Sequence, residues 1–359
     1  MRAEIMRNQQ LLVGEMDSPQ PQDGEVLVET LACGICGSDL HALQHFDQFT
    51  QMSDGLGGTL DRHADLVMGH EFCARILDHG PNTSKQLPVD SLVCSVPMLL
   101  RNGNMVTVGY SNSVPGGYAE QMVLTEPLLL PVPNGLSADH AAMTEPMAVG
   151  WHAVEKAQLL PEEVPLVIGC GPVGLAVINA LKVKGVAPIV AADFSAKRRD
   201  LALTLGADVV IDPSEHSPYD SWREAAAASA QSQLVEANPL TGERTLPPGV
   251  FFECVGVPGV IDQMMVGAER GARFVIVGVC MESDPIRPLL AITKELSLQF
   301  VLGYTPEEFA LTLGHIAEGR MPVAPLITGH VGLDGVAQAF TDLGNPEQHA
   351  KIIVEPGRA

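Results

Sequence analysis

Six short apolar runs alternate with helical segments in the second half of the chain, and this alternation limits the fold more than any other feature. "PLVIGCG" precedes "VGLAVINALKVKG", "PIVAADF" precedes "AKRRDLALTLG", "DVVI" precedes "YDSWREAAAASAQSQLVEA", and "GVFFECVG" precedes "PGVIDQMMVGAERG". "ARFVIVGV" and "LSLQFVLG" complete the set. Strands separated by helices predict an α/β fold with a parallel, doubly wound sheet. The segment 238–249, "NPLTGERTLPPG", reads as the clearest long loop of that domain.

The first half has a different grammar. Short β-prone pieces such as "GEVLVETLACGI", "DLVMGHEFCARIL", "SLVCSVPML" and "YAEQMVL" are separated by Pro and Gly. They predict a compact β-rich unit. A chain of 359 residues exceeds one ordinary core. The expected division is 1–148 for the β-rich domain and 149–302 for the sheet domain. The segment 303–359 opens on the helix "PEEFALTLGHIAEG", then returns to short strands, "PLITGHV" and "KIIVEP", that rejoin the first domain.

Charge and cysteine content narrow the function. The formal net charge of −22 repels nucleic acid and anionic membrane surfaces, so neither is expected as a partner. "MRAEIMRNQQLLVGEM" has no apolar stretch of the kind a secretory signal needs, and Gly and Pro interrupt the longer apolar runs. Seven cysteines, an odd number scattered through apolar contexts, do not make a disulfide framework. A cytoplasmic protein with reduced thiols is the expectation.

Gly169-Cys170-Gly171-Pro172-Val173-Gly174 follows the first strand of the alternating half and opens a helix. The first glycine permits a tight turn, the second lets a pyrophosphate approach the backbone, and the third lets helix and strand pack closely. The helix N-terminus then offers unpaired N–H groups to the anion. Asp193 ends the second strand, 19 residues past Gly174, where a carboxylate binds ribose hydroxyls and repels a 2′-phosphate. NAD is therefore expected rather than NADP. Lys197, Arg198 and Arg199 follow; they either face a phosphate or form a solvated helix face.

Zinc is held by thiolate, imidazole and carboxylate. Cys36 in "ACGICGSDLH", the pair His70-Glu71 in "MGHE", and Glu145 in "MTEPMAVGWHAV" are candidates. Singly, each has a plainer reading: a small buried hydrophobe, a satisfied core histidine, a helix start. Spacing alone does not join Cys36 to Glu145.

"CGICGSDLH", "MGHEF", "EPMAVGWHAV" and "GCGPVG", in this order, resemble the zinc-dependent medium-chain alcohol and polyol dehydrogenases over essentially the whole chain. The resemblance implies a GroES-like catalytic domain followed by a Rossmann domain. It implies Cys36 and His70 as zinc ligands, with Glu71 either ligating directly or alternating with substrate. Glu145 stands where polyol-type members carry glutamate, which favours the sorbitol or threonine dehydrogenase side. Asp39 matches an acid that orients the histidine ligand, and Ser38 and His41 match a proton relay. Arg198 falls near the adenosine ribose, and Lys351 in "HAKIIVEP" matches a basic residue on the pyrophosphate. The implied partners are a small alcohol or carbonyl substrate and further copies of the chain, as dimer or tetramer.

Two stretches depart from the pattern. Where many relatives carry four cysteines for a structural zinc, "VCSVPMLLRNGNMVTVGYSNSVPGGYAEQ" contains only Cys94, so one catalytic zinc per chain is expected. Residues 43–65 read as a long polar loop bordering the substrate pocket, with His45, Phe46 and Tyr110 as lining candidates and His63 as a solvated histidine. Cys33 and Cys36 form a C-x-x-C, but a thioredoxin-like context is missing. Two other readings compete: a zinc-free enone or quinone reductase of the same superfamily, and a non-catalytic nucleotide-binding interaction protein.

Overall fold

In the computed structural model the described residues are 1–55, 60–61, 63–101, 103–233, 235, 237, 240, 242 and 245–358, without the side chains of 52–55. Residues 238, 239, 241, 243 and 244 of the expected 238–249 loop, and 56–59 and 62 of the expected 43–65 loop, therefore lie outside them. The chain divides into two compact units, Met1–Pro146 with Pro306–Ala359, and Met147–Thr305.

The second unit is built on one six-stranded sheet. Its spatial order is Val209–Ile211, Val190–Ala192, Val164–Ile168, Gly249–Glu253, Arg273–Ile276, Ser297–Phe300, with every neighbouring pair parallel. That is the 3-2-1-4-5-6 order of a Rossmann sheet, and it makes Val164–Ile168 the first strand at the point where winding reverses. The inner strands are apolar on both faces because helices cover both. Gly249–Glu253 is buried along its whole length. Val164, Leu166, Phe251, Phe274 and Trp222 centre the core. The Trp222 indole donates to the Val164 carbonyl at 3.1 Å, which satisfies its one polar atom.

The first unit centres on a seven-stranded sheet. A path runs Ile327–Val331, Lys351–Val354, Glu25–Gly34, Glu71–His79, Leu92–Ser95, Leu129–Pro131, and Gln121–Thr125 pairs Glu25–Gly34 as well. The long strand Glu25–Gly34 is the organiser. Its C-terminal end pairs Gly34 with Glu71 and Cys33 with Phe72, which brings the "CGICG" and "MGHE" segments side by side. On its other side, Gly34 pairs with Ile353.

The segment expected as a polar loop after residue 43 is partly helical, with helices Gly37–Gln44 and Phe46–Gly55. Phe46 and Phe49, one turn apart, are buried; two apolar anchors at helical spacing were enough to fold an otherwise polar stretch. Among the described residues, no helix is long and apolar enough to cross a membrane.

Candidate active site

The dinucleotide motif sits where its sequence requires. Gly171 caps the helix Pro172–Val183, and Pro172 fills its first turn, where a missing N–H costs nothing. Gly174 permits no side chain: a Cβ there would lie 1.8 Å from the Gly169 carbonyl oxygen. Beside Gly171 nothing comes nearer than the Arg198 guanidinium at 4.0 Å, so the backbone stays open to a ligand. Asp193 closes the far side. One of its oxygens accepts from the Cys170 N–H at 2.7 Å and the other from the Ser195 N–H at 2.8 Å. Arg198 lies 3.9 Å from the carboxylate. Arg199 turns away, donating to the Asp193 and Phe194 carbonyls at 2.8 Å and pairing with Asp212 at 2.9 Å. Val173 follows Pro172 in the same first turn.

A residue that sequence reasoning missed holds the next strand end. The buried Glu253 carboxylate accepts from Val255 N–H at 2.8 Å and Gly256 N–H at 2.9 Å. It lies 84 residues past Gly169, outside the motif, so no local spacing could reveal it.

The metal candidates converge from two neighbouring strand ends. Cys36 precedes the helix Gly37–Gln44, and His70 and Glu71 open the strand Glu71–His79. One donor atom from each of Cys36, His70 and Glu71 lies within 4.8 Å of the others. Gly34 is necessary to this approach, because a Cβ there would sit 2.0 Å from a Glu71 oxygen. Glu145, in the first turn of helix Thr144–Ala157, stands outside that cluster but within electrostatic reach of Lys351.

Asp39 ties the cluster together. It is fully buried. Its carboxylate accepts from Tyr110 Oη at 2.8 Å, Tyr118 Oη at 2.7 Å and Cys36 N–H at 3.0 Å, and His70 Nδ1 lies 3.5 Å away. Burial pushes this carboxyl upward, but the His70 imidazolium and the donors from His70, Tyr118 and Cys36 outweigh it and hold Asp39 below its ordinary range. His70 shows the converse. Burial lowers its pKa, yet Asp39 and Cys36 raise it well above the ordinary histidine value. Surroundings that favour a proton on His70 equally favour a divalent cation. The donor set of thiolate, imidazole and carboxylate is the set zinc takes. The buried Nδ1 of His70 lies 3.5 Å from the Asp39 carboxylate, the acid that would orient it.

Lys351 is placed differently from its expected role on the pyrophosphate. It lies on a central strand, is 1% exposed, and donates to both Glu71 oxygens at 2.7 Å and to the Ile35 carbonyl at 2.9 Å. A lysine on an interior strand must find a counter-charge, and Glu71 supplies it. Burial works against the charge, and Glu71 and Cys36 raise the lysine pKa in spite of it.

Ser38 meets Tyr110 rather than His41: Ser38 Oγ lies 2.8 Å from Tyr110 Oη. The Tyr110 ring packs on His70 at 5.0 Å and on Phe49 at 4.8 Å. Burial and Asp39 push the Tyr110 phenol well above its ordinary value, so it keeps its proton. His41 is partly buried, its Nδ1 has no hydrogen-bond partner among the described residues, and burial together with His45 lowers its pKa.

With this geometry in hand, comparison with known proteins is informative. The model of the alcohol dehydrogenase GroES-like domain matches residues 22–134, and that of zinc-binding dehydrogenases matches residues 172–318. The (R,R)-butanediol dehydrogenase of Bacillus subtilis (strain 168) is 28% identical over 366 residues, covering 99% of this chain and 100% of that protein. Sorbitol dehydrogenase of Bos taurus is 26% identical, covering 90% of this chain and 86% of its own. The crystal structure of 2R,3R-butanediol dehydrogenase from Bacillus subtilis superposes with a TM-score of 0.79 at 27% identity over 99% of both chains.

Proposed function

The chain belongs to the zinc-dependent medium-chain alcohol and polyol dehydrogenases, an oxidoreductase family acting on secondary alcohols, and on that premise we propose that it oxidises a vicinal diol or polyol with NAD. The convergence of Cys36, His70 and Glu71 beside the buried Asp39 carries this reading. The zinc-free reductase and the non-catalytic binding protein are not favoured, because neither needs that donor set. The diol is suggested by the butanediol and sorbitol dehydrogenases among the relatives.

When bound, zinc and the nicotinamide supply polarisation of the substrate oxygen and a hydride acceptor. The chain's own residues do the rest. Cys36, His70 and Glu71 would hold the metal, with Glu145 within electrostatic reach of Lys351 beside them. Asp39 fixes the tautomer and orientation of His70. Lys351 holds the Glu71 carboxylate in place. Ser38 accepts a hydrogen bond from the substrate hydroxyl, and His41, whose pKa burial and His45 lower, is the group that would carry a proton outward. Gly169, Gly171 and Gly174 with the helix N-terminus at Pro172 and Val173 cradle the pyrophosphate, and Asp193, flanked by Arg198, binds the adenosine ribose. That carboxylate supports NAD over NADP.

One zinc per chain is proposed because Cys94, the lone cysteine of the 93–121 stretch, is buried against the Ala141 carbonyl at 3.3 Å. The seven free thiols support a cytoplasmic location. A homo-oligomer is proposed through the edge strand Ser297–Phe300. It has a neighbour on one side and exposes Phe300, and Leu302 just beyond it is exposed too.

The test is elemental analysis of the desalted protein followed by turnover of 2,3-butanediol, sorbitol and simple secondary alcohols with NAD and NADP. One zinc and diol oxidation with NAD is the expected result. A metal-free protein that reduces enones, or turns over nothing, would overturn it.

A further inference from the structure

The Ser38–Tyr110–Asp39 chain has a direction, and the direction matters for what Ser38 does. Tyr110 has one hydroxyl proton and, among the described residues, two hydrogen-bonding oxygen neighbours, Ser38 Oγ and Asp39 Oδ1, both at 2.8 Å. Asp39 already accepts from Tyr118 and the Cys36 N–H and faces His70, so its carboxylate acts only as an acceptor. The phenol proton therefore goes to Asp39. It follows that Ser38 donates its own proton to the Tyr110 oxygen.

We propose that Tyr110 is a positioning residue that locks the Ser38 hydroxyl as a donor to itself, leaving the Ser38 lone pairs as the acceptor for the substrate hydroxyl. This rests on the dehydrogenase reading above. A free serine rotor donates or accepts with equal ease. Here it is held in the one orientation that accepts a hydrogen bond from an alcohol. The site then prefers a hydroxyl-bearing ligand over an ether or carbonyl of the same shape. The lock is stiff, because the Tyr110 ring is wedged between His70 and Phe49. Tyr110 touches neither proton nor hydride in transit; it acts through Ser38.

The experiment uses zinc-loaded enzyme. Binding of 2-butanol and of its methyl ether, 2-methoxybutane, is measured by calorimetry in the complex with ADP-ribose, which accepts no hydride. The wild-type protein favours the alcohol, Tyr110→Phe lowers that preference about tenfold, the worth of one misdirected hydrogen bond, and Ser38→Ala abolishes it. In kcat/KM for 2,3-butanediol, Tyr110→Phe loses about tenfold, while Tyr110→Phe combined with Ser38→Ala is no worse than Ser38→Ala alone. Zinc content and melting temperature of each variant accompany the kinetics. A wild-type protein that binds the ether as well as the alcohol overturns the proposal without any variant. Losses that multiply in the double variant overturn it too. Failure of the dehydrogenase reading looks different: the wild-type protein then holds no zinc or oxidises no alcohol.

Discussion

Replacing Lys351 by Met isolates the buried ion pair beneath the metal centre. The ammonium and the Glu71 carboxylate are 1% and 0% exposed, and both carboxylate oxygens accept from it at 2.7 Å. Methionine fills much of the lysine volume, so the perturbation is electrostatic. It leaves Glu71 buried without a counter-charge and the Ile35 carbonyl without its donor. Breaking a buried pair from one side costs about 3–5 kcal/mol, a large part of the roughly 5–15 kcal/mol that holds a domain folded. For a unit of this size each kcal/mol moves the melting midpoint by about 2–4 °C, so a fall of roughly 6–20 °C is expected. The assay is thermal unfolding of metal-stripped protein by circular dichroism, in low and high salt. A pair shielded from solvent gives the same shift in both. Adding Glu71→Leu to Lys351→Met removes the stranded charge and recovers most of the midpoint, while zinc binding is lost. A single variant within about 3 °C of wild type, or a double variant no more stable than the single, would refute the reasoning.

Four further outcomes follow from the structure. Glu4 is buried with one carboxylate oxygen unpartnered, and burial followed by Asp334 pushes its pKa up to about 7. The folded state therefore holds a proton that the unfolded state releases between about pH 4.5 and 7, so this group's contribution to stability is intact below that window and declines across it. Glu4→Gln flattens the decline and raises the melting midpoint at pH 8; an unchanged pH profile would count against it. Asp39→Asn weakens zinc binding about 10–100-fold, read by competition with a chromophoric chelator, because His70 loses the acid that orients it. Asp193→Ala lowers kcat/KM with NAD and narrows the gap to NADP, and an unchanged ratio would remove Asp193 from the ribose site. Gly174→Ala abolishes NAD binding in a calorimetric titration, since its Cβ would collide with the Gly169 carbonyl at 1.8 Å.

What the sequence disclosed depended on how far apart the interacting residues lie. The Rossmann unit was readable because its signals are local. Each apolar run is followed at once by its helix, and Gly169 to Gly174 lie on one turn. Cys36, His70 and Glu71 were readable as ligand types within familiar motifs. Their approach depends on Gly34 pairing with Glu71 across two strands, which composition does not reveal. Lys351 could not be placed: its partner lies 280 residues earlier, and an isolated lysine in an apolar strand reads equally as exposed. Tyr110 and Tyr118 reach Asp39 from more than seventy residues downstream, so the network around His70 emerges only once the sheet is closed. The helix Phe46–Gly55 escaped notice because its buried anchors among the described side chains, Phe46 and Phe49, sit in an otherwise polar stretch.

The distance between Glu71 and Lys351 also sets a schedule. Synthesis proceeds at about 5–20 residues per second, so a ribosome takes roughly 15–60 s to travel the 280 residues between them. Through that interval Cys36, His70 and Glu71 have all been synthesised, while the strand Lys351–Val354, which completes the sheet beside Glu25–Gly34, has not been made. A nascent chain cut short at residue 350 thus carries the whole metal-binding set and lacks the cation that seats its carboxylate. The carboxylate of the centre therefore gains its counter-charge only once Lys351 has been made, 280 residues after Glu71.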